Sequence, residues 1–313
     1  MTSSKPIIVV FAATGMQGGS VARALVEDGR FAVRATTRNP NSEAAQALSA
    51  LGCQVVQASY GDTASLDAAL EGAYGAWFIT SFWDSGIGTV EAEVQDGRNV
   101  AEAAKRNNIQ HLIYSTLESP ATTFGDSFPT FDAKIGVEQE ILYAGVPFTF
   151  VQVAWYFTNL ANNIQNKHAG YYKWPRDDDG TYVLRFPIGE NGLHGIYSGD
   201  VGKACASIFA DKDKSYIGRK IALSGELMTG ESMASTFEKA FPGTKFRYEN
   251  PSMDDFRQET QAAGFGDALA NMYGFYAKRM PRGGDLALSQ KLHPEIKTLQ
   301  KYLEDCSSDF KFE

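Results

Sequence analysis

The sequence predicts an α/β chain: a doubly wound parallel sheet with a second, smaller α+β lobe. Three observations carry this. Short apolar runs alternate with stretches of helical period through the first half of the chain, with little slack between them. The runs are apolar throughout, the pattern of strands covered on both faces of a parallel sheet. The first run opens into a small-residue loop, "ATGMQGG", and a helical pattern follows at once. Right-handed crossovers turn such an alternation into the Rossmann arrangement.

"IIVVFA" reads as the first strand. "GGSVARALVEDG" is the first helix, with Val21, Ala24 and Leu25 at helical spacing and Gly29 at its end. The strands "AVRATT", "CQVVQA", "GAWFIT", "HLIYST" and "PFTFVQV" follow. They are separated by the helical stretches "SEAAQALSALG", "TASLDAALEG", "EAEVQDGRNVAEAAKRNN" and "FDAKIGVEQEILYAG". Most of these helices stop at glycine or asparagine. Residues 1–155 are assigned to the Rossmann domain. After about Asn166 the rhythm breaks, so residues 156–313 are assigned to a smaller lobe that partly returns to the sheet. There, "GYYKWPRDDDGTYVLRFPIG" reads as two short strands around an acidic turn, and "SGDVGKACASIFAD" as a helix capped by Ser198 or Asp200.

The 313 residues suffice for one large α/β domain and an appendage, and 43% hydrophobic with 21% charged residues is ordinary for a globular protein. A net charge of −8 argues against a nucleic-acid surface or an anionic membrane as partner. Cys53, Cys205 and Cys306 show no metal-ligand spacing, so no metal is expected and a reducing compartment is the simplest reading. The N-terminal apolar run lacks the layout of a signal peptide, and "VPFTFVQVAWYF" is too short to span a bilayer. The expected location is the cytoplasm, with the nucleus as a second compartment.

In a strand–loop–helix phosphate site, glycines allow a tight turn, approach of the backbone to pyrophosphate and close helix–strand packing. Gly15 and Gly18 suit the second and third roles. Ala12 occupies the first, where a methyl fits only at negative φ. The second strand ends in "RATTRNP", placing Arg38 where an NAD site carries Asp or Glu. A guanidinium there can grip the 2′-phosphate of NADP in bidentate fashion.

The segments "VVFAATGMQGGSVARAL", "VRATTRNP", "FITSFWD", "LIYSTLES", "FDAKIGVEQEI" and "AWYFTNL" resemble, in order and spacing, those of NmrA-like proteins, atypical members of the short-chain dehydrogenase/reductase superfamily. "DALANMYGFYA" resembles the helical C-terminal part of the redox-sensing branch. The resemblance spans nearly the whole chain and implies NADP(H) as cofactor. It implies that Ala12, Ala13, Thr14, Gly15, Met16, Gln17 and Gly18 form the pyrophosphate loop, and that Arg38 meets the 2′-phosphate. By the same resemblance Ala58 and Ser59 follow the third strand, and Thr80, Ser81 and Phe82 pass under the cofactor. Lys134 matches a lysine near the nicotinamide ribose, and Tyr156, Phe157, Thr158 and Asn159 match the segment over the nicotinamide. Departures are Ala12 for a glycine and Ser59 where relatives often carry aspartate.

Conventional members of the superfamily use Tyr-x-x-x-Lys on one helix face, the tyrosine donating the proton that accompanies hydride. Here Thr130 stands in the tyrosine's position relative to Lys134. Lys134 and Tyr156 are the candidate catalytic residues, with Ser115 at the end of the fifth strand as a further polar group. Tyr114 and Tyr143 are assigned to packing, and His111, His168, His194 and His293 to structure. The missing tyrosine favours an NADP(H)-binding redox-responsive regulator acting through contacts with a protein partner. The alternative is an NADPH-dependent oxidoreductase, similar to the isoflavone-reductase-like branch, acting on a small molecule. A homodimer is compatible with either.

Overall fold

The computed structural model describes residues 5–82, 88–118, 128–161, 174–264, 266–278 and 284–312. His168 and residues 170–173 lie outside the described residues. The first half runs β1 (Ile7–Val10), α1 (Met16–Asp28), β2 (Ala32–Thr37), α2 (Glu43–Ala50), β3 (Gln54–Gln57), α3 (Thr63–Leu70), β4 (Gly75–Phe78), α4 (Val90–Arg106), β5 (His111–Thr116), α5 (Pro129–Ala144) and β6 (Phe148–Val153). Then come β7 (Trp155–Tyr156), β8 (Tyr182–Arg185), β9 (Leu193–Ile196), α6 (Ser198–Phe209), β10 (Arg219–Leu223), β11 (Glu226–Met228), α7 (Gly230–Ala240), β12 (Phe246–Glu249), α8 (Met253–Ala262), α9 (Gly266–Lys278), α10 (Leu286–Leu292) and α11 (Leu299–Asp305).

Seven strands form one sheet in the order β10-β6-β5-β4-β1-β2-β3, and every pairing from β6 to β3 is parallel. The order reverses between β1 and β4, the crevice where doubly wound sheets bind ligands. The chain divides into two units: residues 1–153, 198–222 and 291–294 make the first, and the remainder the second. The doubly wound sheet predicted from the sequence is thus present.

In the first unit, β1, β4 and β5 are buried almost end to end, and Phe11, Phe78, Leu112, Tyr114 and Val137 join one apolar core. Glycine sets the helix packing there. A Cβ on Gly97 would overlap the methyls of Val137, and one on Gly136 would overlap Val94 Cγ2. Two reciprocal glycine–valine contacts therefore fix the register of α4 against α5 at close range.

The second unit holds the three-stranded sheet β11-β9-β7 and the parallel pair β8–β12. Its core is aromatic, with Phe157, Phe186, Phe237, Tyr273 and Tyr302 all essentially inaccessible. The acidic turn closes through Asp177 N–H to Thr181 O and Gly180 N–H to Asp177 O, both 2.9 Å. Of the two strands expected around it β8 forms, and among the described residues before the turn Arg176 makes a single bridge to Tyr182.

Neither Ser198 nor Asp200 precedes α6 as a cap, because both lie within the helix. Asp200 instead faces His293, 3.3 Å away. Tyr143 is not a packing residue: it is 78% exposed, while Val137 and Ile141 supply the buried face of α5. Among the described residues no helix is long and apolar enough to cross a membrane.

Candidate functional site

The loop after β1 is built by backbone hydrogen bonds. Phe11 N–H donates to Trp77 O (2.9 Å), Ala13 N–H to Thr36 O (3.1 Å) and Gly15 N–H to Ala12 O (2.9 Å). The last of these closes a turn with Ala13 and Thr14 at its centre, and Ala12, the residue between the Phe11 and Ala13 anchors, adopts φ +50°. This corrects the expectation of a negative φ at Ala12. The chain is held to Trp77 on one side of Ala12 and to Thr36 on the other, and the exposed methyl is accommodated in the left-handed region at a cost in strain. Gly18 has the role expected of it, since a Cβ would lie 2.7 Å from Ala12 C and 2.8 Å from Phe11 O. At Gly15 a Cβ would lie 3.2 Å from Ala12 O.

Gly15 is also the N-cap of α1 and brings no side-chain acceptor, whereas Ser42, Asp62 and Thr89 cap α2, α3 and α4 with side-chain oxygens. The first turn of α1 holds no acidic residue. A helix N-terminus left without an anionic cap, opening at the switch point, is suited to phosphate.

Next to this loop, Thr14 Oγ1 and Thr37 Oγ1 lie 3.4 Å apart, tying the loop to the end of β2. Arg38 follows, exposed, with its backbone carbonyl held by Gln57 Nε2 at 3.2 Å. Its guanidinium has no hydrogen bond or ion pair among the described residues. Ala58 N–H donates to Thr37 O (3.1 Å), and Ser59 N–H to Ser65 Oγ (3.2 Å). Ser59 thereby belongs to the turn that Asp62 caps.

At the far side of the switch point lies a buried polar cluster. Lys134 on α5 is 7% exposed, and its Nζ is 2.7 Å from Glu93 Oε1 on α4. The ammonium also donates to the Thr80 carbonyl, and to Thr80 Oγ1 at 3.1 Å. Thr80 Oγ1 donates to Glu93 Oε1 at 2.5 Å and therefore accepts from the Tyr114 hydroxyl at 2.9 Å. Burial pushes the Lys134 pKa down and Glu93 opposes the fall; burial drives the Tyr114 hydroxyl well above its ordinary value. Ser81 and Phe82, which continue from Thr80, are half-buried.

Ser115 is 2% exposed and donates to Gln17 Oε1 at 2.8 Å, linking the end of β5 to the glycine loop. Close by, Thr116 Oγ1 donates to Glu138 Oε1 (2.5 Å), which also pairs with Lys220 (2.7 Å).

The structure thus brings Ala12–Gly18, Arg38, Ala58, Ser59, Thr80–Phe82 and Lys134 to the carboxyl ends of one sheet. Tyr156, Phe157, Thr158 and Asn159 belong to the second unit. Tyr156 ends β7 and is half-buried, as are Thr158 and Asn159 in the short helical turn that follows. Phe157 is fully buried in the core of its own unit, its ring centroid 5.9 Å from that of Tyr302. Glu93 is the residue that sequence reasoning missed. Its signal was Gly97 one turn later, matched by Gly136 just after Lys134.

A glycine-capped helix at the switch point of a doubly wound sheet, followed by a strand-end arginine, defines a dinucleotide-binding α/β protein. The chain belongs to the NmrA-like family, whose model matches residues 4–304. It is 31% identical over 267 residues to the NmrA-like family domain-containing oxidoreductase FrzB of Cladobotryum sp, covering 80% of this chain and 78% of the relative. The NADPH-dependent quinone oxidoreductase QOR2 of Escherichia coli, solved with NADPH, superposes with a TM-score of 0.74 at 26% identity, covering 96% of this chain and 99% of the other. NmrA, a negative transcriptional regulator solved with NADP, has the same fold, with a TM-score of 0.75 at 23% identity and coverage of 97% and 96%.

Proposed function

We propose that the protein binds NADP(H) and acts as an oxidoreductase on a small, conjugated acceptor. The observation that carries the cofactor is the Arg38 guanidinium, exposed and uncommitted beside a glycine-capped helix N-terminus. The residues fit the group: the first turn of α1 takes the pyrophosphate, Arg38 the 2′-phosphate, and Lys134 with Thr80–Phe82 the nicotinamide half. When bound, the nicotinamide supplies hydride chemistry. Support for turnover comes from curated relatives near 30% identity that are named oxidoreductases, such as FrzB.

The chain's own residues limit that chemistry. Thr130 replaces the usual tyrosine, and Lys134 has all three of its N–H groups facing acceptors in its cluster. A ketone that must gain a proton on oxygen is poorly served. A quinone or conjugated alkene, whose reduced anion is stable, takes its proton from solvent.

The same observation favours a second reading, a regulator whose contacts with a partner protein follow cofactor occupancy. NADPH consumption over a panel of quinones, conjugated alkenes and simple ketones separates the two. The proposal expects turnover of the conjugated acceptors with NADPH preferred over NADH. Tight NADPH binding without turnover, joined to an NADPH-dependent change in hydrogen exchange or sedimentation, supports the regulator.

A further inference from the structure

We infer that Glu93 is a positioning residue of the cofactor site, acting through Lys134 and Thr80 on the chain that leaves β4. The inference rests on the NADP(H) reading.

The placement of Glu93 is built into the packing. Gly97 seats Val137 and Gly136 seats Val94, so α4 and α5 meet in one register, and that register sets Glu93 beside Lys134. Glu93 is fully buried, and Oε1 takes both Lys134 and Thr80, while Oε2 has no hydrogen-bond partner among the described residues. An ion pair in this setting is not the economical way to join two helices, since apolar side chains of similar volume commonly do as well or better. What the pair provides is a fixed cation.

The directions of the hydrogen bonds show what the cation holds. The single proton of Thr80 Oγ1 goes to Glu93, so this oxygen accepts from Tyr114 and Lys134. The Lys134 ammonium also grips the Thr80 carbonyl, the peptide that leads into Ser81 and Phe82. Glu93 thus keeps Lys134 charged, and the charge keeps the β4 end in place. The other titratable groups around this point are Asp96 on α4, Tyr114 on β5, Glu138 with Lys220, and Tyr60. Among the described residues only Glu93 forms an ion pair with Lys134.

Calorimetric titration with NADPH across pH, for wild type, Glu93→Gln, Lys134→Met and the double variant, tests this. Taking the ratio to wild type at each pH removes the titration of the 2′-phosphate itself. Without the carboxylate, burial acts on Lys134 unopposed, its pKa falls, and the ammonium is lost as pH rises. Glu93→Gln should therefore bind progressively more weakly relative to wild type as pH rises, by about tenfold at the alkaline end of the titration. Lys134→Met should be weak with a ratio independent of pH, and the double variant should match it. Rescue by Glu93→Asp should restore a flat ratio.

A Glu93→Gln ratio near one at every pH overturns the inference. Should Glu93→Gln fail to fold, the double variant, which buries no charge at either position, decides: wild-type affinity in it overturns the inference, and the Lys134→Met affinity supports it. Wild type that does not bind NADPH at all overturns the cofactor reading and the inference together, an outcome distinct from a normal wild type with an indifferent Glu93→Gln.

Discussion

Replacing Ala12 with glycine should stabilise the protein. Ala12 sits at φ +50°, where an L-residue's Cβ crowds the following carbonyl at a cost of about 1–2 kcal/mol. Glycine removes that strain but adds freedom to the unfolded chain, worth about 0.4–1 kcal/mol in the opposite sense. The methyl is exposed, so its loss gives up no burial, and Ala12 takes part in the loop's hydrogen bonds only through its backbone carbonyl. The net is a gain of about 0.5–1 kcal/mol, which for a unit of this size raises Tm by roughly 1–4 °C. Thermal unfolding of wild type and Ala12→Gly, each with and without NADPH, reads both stability and the ligand's increment to it. NADPH affinity should be unchanged or tighter, since the turn is already formed and glycine only relaxes it. A lower Tm, or NADPH binding weakened several-fold, would refute the reasoning by showing that the methyl makes a contact the strain argument ignores.

Arg38→Glu should weaken NADPH about ten- to a hundredfold, the scale of a lost charge-assisted hydrogen bond, and leave NADH within a few-fold by calorimetry; equal losses for both cofactors would place Arg38 away from the 2′-phosphate. Gly18→Ala should cost about 1–3 kcal/mol in urea unfolding, because its Cβ would lie 2.8 Å from Phe11 O. Gly15→Ala, with 3.2 Å of room to Ala12 O, should cost distinctly less. Burial pushes the His111 pKa down to about 4. The unfolded chain therefore takes up the proton first, and stability present above pH ~6.5 is lost as pH falls toward ~4, by at most about 3 kcal/mol. His111→Gln should flatten that part of the stability–pH curve, and an unchanged slope would assign the effect elsewhere.

The parallel sheet and the glycine loop were legible because both rest on local signals. Runs such as "HLIYST" are buried on every residue, and Gly18 is required by a close approach to its own neighbours Phe11 and Ala12. The sign of φ at Ala12 was not legible, for the residues on either side of it are anchored to strands distant in sequence, Phe11 N–H to Trp77 O and Ala13 N–H to Thr36 O. Nor was the chemistry around Lys134. Its match to a family lysine pointed toward the ribose, but its partners come from three other elements: Glu93 from α4, Thr80 from beyond β4 and Tyr114 from β5. Ser115 lies near the end of β5, where the sequence places it, while its acceptor, Gln17, lies 98 residues away in sequence. Tyr143 carries the opposite lesson. Its aromatic ring reads as core, but it follows Ile141 and Leu142 on the turn of α5 that faces outward.

The proton decides between an enzyme and a regulator more sharply than the cofactor does. Reduction of an isolated ketone leaves an alkoxide that must be protonated in the transition state, and a missing general acid costs about 10²- to 10⁴-fold. Among the described residues of the first unit no group takes the tyrosine's place. Thr130 is too weak an acid, burial holds the Tyr114 proton firmly while its hydroxyl faces Thr80, and the Lys134 protons are committed. A conjugated acceptor avoids the penalty, because its reduced anion spreads the charge and waits for solvent. Turnover of quinones should therefore be insensitive to Thr130→Ala, and the ratio of quinone to ketone rates should exceed about 10². A simple ketone reduced at about 1 s⁻¹ or faster, within the ordinary range of enzymes, would mean that another residue supplies the proton. Tyr156→Phe is then the variant to make first: a fall in that rate with unchanged NADPH affinity would assign the proton to its hydroxyl.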